Sequence, residues 1–280
     1  MRNSQIQKSF IVGDQWLYYK IYCGVKTADM VLTEIIKPLT EKLITEKLID
    51  QWFFIRYTEP EPHIRVRFHL SNIIHIGNLL VRIKDILKPY IDNYQIWDLQ
   101  LATYQREIER YGINTIDLAE KLFHHDSEHV LKIIENSEND EARFLKLFKW
   151  LEHLLNLFNF EDKNLLSFLE ERQNQFKQEF EADKNVRKKL SRKYRNLEHL
   201  LLSNNDLKTQ YKDYCYEIVE RLLILEKEKN LHVSINSLLA SFIHMSINRC
   251  FRSEQRLYEM MLYDFLYRKN NSKYIRYGSL

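Results

Sequence analysis

The sequence predicts an α+β fold: a small, mostly antiparallel sheet packed by many α-helices, with a helix-rich C-terminal half. Three observations predict it. HIRVRFHL alternates strictly, with His63, Arg65, Arg67 and His69 on one face of a strand and Ile64, Val66, Phe68 and Leu70 on the other. Residues 15–23, QWLYYKIYC, are aromatic and β-branched enough for an opening strand. From about residue 140 to residue 230 the apolar positions recur almost wholly at helical spacing.

After the opening strand, Thr27 reads as the N-cap of a helix running through Met30, Val31, Ile35 and Leu39 to about Leu48, with Pro38 a kink or break inside it. The stretch WFFIRYTEPEPHIRVRFHL, from Trp52 to Leu70, then supplies two neighbouring antiparallel strands. Its first half is apolar on both faces except at Arg56, which suits a covered strand. Glu59-Pro60-Glu61-Pro62 forbids helix and forms the connection. Arginines repeated at period two can converge on a carboxylate or oxyanion, because the guanidinium is a permanently charged fork of donors. The same pattern also suits a solvated polar face with incidental ion pairs.

Residues 73–90 have amphipathic helical spacing, with Leu79, Leu80, Ile83, Ile86 and Leu87 inward and Pro89 closing the helix. Residues 95–104 alternate again and read as a further strand, leading into TYQREIERYG. If that segment is helical, Glu107 and Arg110 share a face, as do Arg106 and Arg110. If it is extended, Arg106 and Arg110 share a face and Glu107 points away. Periodicity leaves both open, and a charged surface segment with local ion pairs is the plainer reading.

In LFHHDSEHVLKII, His125 and His129 stand four apart, which is metal-ligand spacing on a helix. Asp126-Ser127 ahead of an apolar run reads instead as a helix cap, and no metal is expected. Phe144, Leu147, Phe148, Leu151, Leu154, Leu155 and Phe158 form one apolar stripe, and Leu165, Phe168, Leu169, Phe176 and Phe180 another. KNVRKKLSRKYR, residues 184–195, reads as a solvated helix face or as a site for an anionic partner. Ser234 caps a last amphipathic helix on which Ser237, Ser241, His244 and Asn248 form a polar stripe. A histidine among apolar neighbours is commonly a hydrogen-bonded core residue, although a buried imidazole near arginines could carry protons.

The 280 residues can bury a substantial core, and 5 glycines and 4 prolines leave no flexible linker, so one continuous domain over residues 1–280 is expected. Lys+Arg 42 against Asp+Glu 39 gives +3, too balanced for nucleic-acid binding held mainly by charge. Cys23, Cys215 and Cys250 are scattered without CxxC spacing. The N-terminal residues lack a signal-peptide core and no apolar run reaches membrane-span length, so a soluble cytoplasmic protein is expected.

WFFIRYTEPEPHIRVRFHL, TYQREIERYG, LFHHDSE and HMSINRCFRSEQRLYEMMLYDFLY, in this order and spacing, resemble the thiopeptide-type bacteriocin biosynthesis domain. This is the glutamate-elimination domain found at the C-terminus of class I lantibiotic dehydratases and as a free-standing protein. The resemblance runs from Gln15 to about Lys273. It implies a carbon–oxygen lyase that removes glutamate from glutamylated Ser or Thr of a ribosomally made precursor peptide, leaving dehydroalanine or dehydrobutyrine. It also implies a separate partner protein that glutamylates the peptide from glutamyl-tRNA, since the chain has no room for that module. No cofactor is implied and no direct nucleic-acid contact is expected; a homo-oligomer is compatible with the same resemblance.

Carried over motif by motif, the resemblance implies Arg65 and Arg67 from HIRVRF, Glu107 and Arg110 from the ExxR, and His244, Asn248 and Arg249 from HMSINR. Arg67 and Arg110 would recognise glutamate and stabilise negative charge, with Arg65 close by. His244 would transfer the proton, Glu107 would orient an arginine or the histidine, and Asn248 and Arg249 would support substrate binding. Two other readings stay open. Similar domains act as thiopeptide pyridine synthases, which join two dehydroalanines and release the leader, and a degenerate relative would be a non-catalytic peptide-binding subunit.

Overall fold

The computed structural model describes residues 6–202 and 214–278, so the part of the expected C-terminal helical region at residues 203–213 lies outside the described residues. The fold is α+β, and the chain divides into two compact units. Unit 1 comprises Met1–Asn136 and Ile224–Ser253; unit 2 comprises Ser137–Leu223 and Glu254–Leu280.

Unit 1 opens with β1 (Ser9–Phe10), which the sequence reading missed, and β2 (Trp16–Cys23). Next come α1 (Val25–Met30), a π-helical stretch Val31–Ile36 and α2 (Lys37–Thr45). The N-cap is Gly24 rather than Thr27, and Pro38 lies at the start of α2. Proline has no N–H to donate and its ring crowds the carbonyl four residues back, so the wider π turn before it lets the helix continue. β3 (Ile49–Tyr57) and β4 (His63–Leu70) form the expected antiparallel pair.

A 3₁₀ turn (Ile73–His75) and α3 (Ile76–Asp92) follow, and Pro89 lies inside α3 rather than closing it. Leu79, Ile83 and Leu87 are buried there, whereas Ile86 faces outward. The strand expected at residues 95–104 divides into β5 (Ile96–Ala102) and β6 (Tyr104–Gln105), and β6 pairs with β1. α4 (Ile108–Tyr111) and α5 (Ile116–Glu135) follow, and the later segment of unit 1 brings α10 (Ile235–Cys250). Ser234 caps α10 as expected, its hydroxyl accepting from the Ser237 N–H at 3.3 Å.

The main sheet is antiparallel in the order β3-β4-β2-β5. Its register puts Arg67 opposite Phe53 on β3 and Tyr18 on β2, two positions along from Arg65 opposite Ile55 and Lys20. The alternation of β4 holds, but its polar face is not a solvated one: Arg67 is 7% exposed and His63 is 3% exposed. β3 is an edge strand, and α5 and α10 pack against it.

Unit 2 holds α6 (Asp140–Leu157), α7 (Asp162–Glu179), α8 (Lys184–Leu202), much of α9 (Tyr214–Lys227) and α11 (Gln255–Tyr277). The predicted stripes form its core, with Phe144, Leu147, Phe148, Leu151, Phe168 and Leu169 buried; Phe180, at a helix end, is exposed. The fully buried Asp264 is held by Lys177 at 2.7 Å and Arg268 at 2.6 Å. Lys188, Lys189, Arg192 and Lys193 of the basic run are exposed on α8. No helix among the described residues is long and apolar enough to cross a membrane.

Candidate active site

The alternation of β4 points Arg67 at the face shared with Tyr18 and Phe53. Its guanidinium carbon lies 4.5 Å from the Tyr18 ring centre, 4.8 Å from Tyr104 and 5.1 Å from Phe53. Nε and Nη1 are sealed from solvent and have no acceptor, and among the described residues no carboxylate pairs with Arg67. Cation–π contacts of this kind contribute about 0.5–2 kcal/mol each. Withdrawing an ion from water costs several kcal/mol, so the rings offset the burial only in part. The cage therefore leaves a buried cation short of an anion. A narrow pocket opens on it, lined by Phe53, Ile55, Tyr104, Glu107, Tyr111 and Met245.

The structure resolves the ambiguity of TYQREIERYG by dividing it. The chain is extended at Tyr104–Gln105 and helical from Ile108, so Glu107 stands just before the first turn of α4. Arg106 turns away from Arg110: its Nε donates to Glu120 at 2.8 Å, and its Nη2 contacts Glu120 at 2.5 Å and Asp117 at 2.7 Å. Arg110 instead places Nη1 3.4 Å from the Glu107 carboxylate and donates from Nε to the Ser241 hydroxyl at 3.1 Å. The helical alternative thus holds for Glu107 and Arg110, and neither alternative holds for Arg106.

Tyr111 follows Arg110 in the same short helix. Its ring meets Phe123 edge-on at 5.0 Å and stacks on Phe242 at 6.1 Å. The phenol oxygen is buried without a hydrogen-bond partner, and burial pushes its pKa far above the ordinary phenol range. Tyr104, by contrast, donates its hydroxyl to Glu120 at 2.7 Å. Sequence reasoning missed Tyr18, Phe53, Tyr104, Tyr111 and Met245 as parts of this site. The only available signal was the place of Tyr111 directly after the ExxR motif, because an aromatic cage and an ordinary core have the same periodicity.

On α10, Ser241, His244 and Asn248 share one face by helical spacing. His244 is half-buried between Ser241, which holds Arg110, and Asn248, and it precedes the pocket residue Met245. Arg65 does not line the pocket: its guanidinium lies 3.4 Å over the Tyr57 ring centre and its Nε donates to His63 Nε2 at 3.0 Å.

Asn248 and Arg249 face β3. The Asn248 amide accepts from the Arg56 N–H at 2.9 Å and donates to the Arg56 carbonyl at 3.0 Å, as a neighbouring strand would. Arg249 is fully buried, donates to the Phe54 carbonyl at 2.7 Å and pairs with Asp126 at 2.7 Å. Ser127 accepts from the Phe54 N–H at 3.3 Å, and His124 Nδ1 meets the Trp52 carbonyl at 3.1 Å. Side chains of α5 and α10 therefore close the edge of the strand whose Phe53 and Ile55 line the pocket. Arg56 itself is buried, with Nη2 2.6 Å from Asp29.

This corrects the reading of LFHHDSE as a helix cap. Asp126 and Ser127 lie inside α5, buried and bonded to other elements, because a helix may carry inward polar groups where partners meet them. Next to Asp126, His124, His125 and Glu128 bring ligand-type atoms within 4.8 Å of one another.

Comparison with known proteins gives a consistent result. NisB, the nisin biosynthesis protein of Lactococcus lactis subsp. lactis, is 26% identical over 268 residues, which covers 89% of this chain and 25% of NisB. The chain thus spans about a quarter of the length of its curated relatives NisB and SpaB, the subtilin biosynthesis protein of Bacillus subtilis. The tRNA-dependent lantibiotic dehydratase MibB from Microbispora sp. 107891 superposes with a TM-score of 0.72 at 19% identity, over 96% of this chain and 29% of MibB. The pyridine synthase TbtD from thiomuracin biosynthesis superposes at 0.59 with 11% identity, over 92% of this chain and 100% of TbtD. Both structures share the fold, and at these identities they speak to the fold alone. The model of the family described as lantibiotic biosynthesis dehydratase, C-terminal, matches residues 16–269, and the chain belongs to that family.

Proposed function

We propose that this chain is a lyase that eliminates glutamate from glutamylated Ser or Thr of a ribosomally made precursor peptide, leaving dehydroalanine or dehydrobutyrine. The observation that carries the reading is Arg67: a buried, ring-caged guanidinium with no acceptor, on a pocket that needs an anion. A glutamyl ester brings a carboxylate, and its elimination releases a second.

In that reaction the peptide Cα proton leaves to a base, the electron pair forms the Cα–Cβ double bond, and the Cβ–O bond breaks as glutamate departs. His244 is the base we assign, half-buried on the α10 face that also holds Arg110 through Ser241. Arg67 takes the glutamyl carboxylate. Arg110, steadied by Glu107 and Ser241, stabilises the negative charge that develops on the peptide carbonyl oxygen. Arg65, stacked on Tyr57, contributes positive field from two residues along β4. The substrate requires a glutamylating partner protein, which this reading includes.

The test is mass spectrometry of a glutamyl-Ser peptide incubated with the protein and the glutamylating partner, beside Arg67→Ala. Loss of glutamic acid is expected in the wild type, with a rate in the variant lower by about 100-fold or more. A wild type that leaves the ester intact, or a variant as fast as the wild type, would overturn the proposal.

A further inference from the structure

We propose that Tyr111 is a further ligand-contacting residue of the pocket, donating its phenol hydrogen to the carboxylate that Arg67 binds; this rests on the carboxylate reading given above. Tyr111 is 2% exposed, and its hydroxyl has no partner. Buried hydroxyls are nearly always hydrogen-bonded, so an orphan one marks a missing acceptor. Two nitrogens of Arg67, on the same pocket, lack acceptors in the same way. One ligand carboxylate, with two oxygens and about four lone-pair sites, supplies both deficits.

Several neighbouring donors are already engaged within the protein. Tyr104 is bonded to Glu120, Arg106 to Glu120 and Asp117, and Arg110 to Glu107 and Ser241. The phenol is also fixed in place, since its ring is wedged between Phe123 and Phe242 and cannot swing toward solvent without breaking both contacts. Because burial raises its pKa, Tyr111 keeps its proton near neutral pH and remains a donor. It can therefore share the ligand's negative charge without adding a charge of its own.

The probe is glutarate, a dicarboxylate, titrated calorimetrically into the wild type and Tyr111→Phe, with the thermal midpoint of each unliganded protein measured alongside. Phenylalanine retains the ring contacts and removes only the unpaired hydroxyl. The expected result is a Kd about tenfold weaker in Tyr111→Phe, the effect of losing a hydrogen bond to a charged group, with a midpoint equal to or above that of the wild type. Equal Kd values would overturn the proposal, as would a wild type that binds no glutarate. A lowered midpoint with unchanged Kd, the mark of a purely structural tyrosine, would also overturn it. If glutarate binding weakens as expected but the glutamylated peptide stays intact, Tyr111 keeps its assignment and the elimination reading falls.

Discussion

Arg67 and Arg249 are both buried arginines of unit 1, and they differ in what neutralises them. Arg249 has the Asp126 carboxylate at 2.7 Å and the Phe54 carbonyl at 2.7 Å. Arg67 has three aromatic rings and no acceptor. Replacement by methionine, similar in length and uncharged, should therefore act with opposite signs. Arg249→Met takes from the buried Asp126 carboxylate the cation that neutralises it, leaving the Ser246 hydroxyl as a neutral donor, and urea unfolding should show a loss of about 3–5 kcal/mol. Arg67→Met removes a cation that no acceptor neutralises, so the unliganded protein should be as stable as the wild type or more so, while the proposed elimination is lost. A marked drop in stability for Arg67→Met would mean that the cage rings alone satisfy the guanidinium. The resemblance read from the sequence gives Arg67 a role in glutamate recognition and Arg249 one in supporting substrate binding, and says nothing of what neutralises either. Their difference depends on carboxylates placed by other elements, which no local pattern contains.

At the scale of elements, the site depends on how β6 hands over to α4. Gly112 ends α4 at φ 79°, and a Cβ there would stand 2.7 Å from the Thr115 hydroxyl oxygen. Both the left-handed backbone and the close approach require glycine. Gly112→Ala should cost about 1–3 kcal/mol in strain, read as a lower thermal midpoint. It should also reduce the proposed elimination activity, because α4 carries Arg110 and Tyr111. An unchanged midpoint would show that the turn relaxes without cost. Element boundaries here were only partly legible. The alternation of residues 63–70 located β4 to the residue, and Ser234 marked the start of α10. TYQREIERYG gave no answer because two short elements share ten residues, too few for either period to repeat. The Asp126-Ser127 cap failed for a related reason: polar residues that terminate helices in isolation are kept inside α5 by β3 and α10, which supply their hydrogen-bond partners.

For the molecule as a whole, acid stability should register the buried edge of β3. His124 is buried against the Trp52 carbonyl, and burial lowers its pKa. Glu128, His125 and Asp50 are the charged or titratable groups that act on it. The unfolded chain takes up a proton near the ordinary histidine value of about 6.5, whereas the folded chain resists it until lower pH. Below that value the unfolded state binds more protons, so stability falls as pH drops from about 7 toward about 5. Thermal midpoints across that range should decline, and less steeply in His124→Gln; equal slopes would remove His124 as the cause. What the sequence determined by itself was the periodic part: α+β class, the Trp52–Leu70 strand pair, the inward stripes of α6 and α7, and the order of motifs that marks the family. Tertiary structure alone decided which arginine lacks an acceptor, that Arg106 parts from Arg110, and that Asn248 serves the edge of β3. Periodicity states which face a side chain occupies. What stands opposite that face comes from residues as distant in the chain as Arg56 and Asn248, 192 positions apart, and only folding brings them within hydrogen-bond reach.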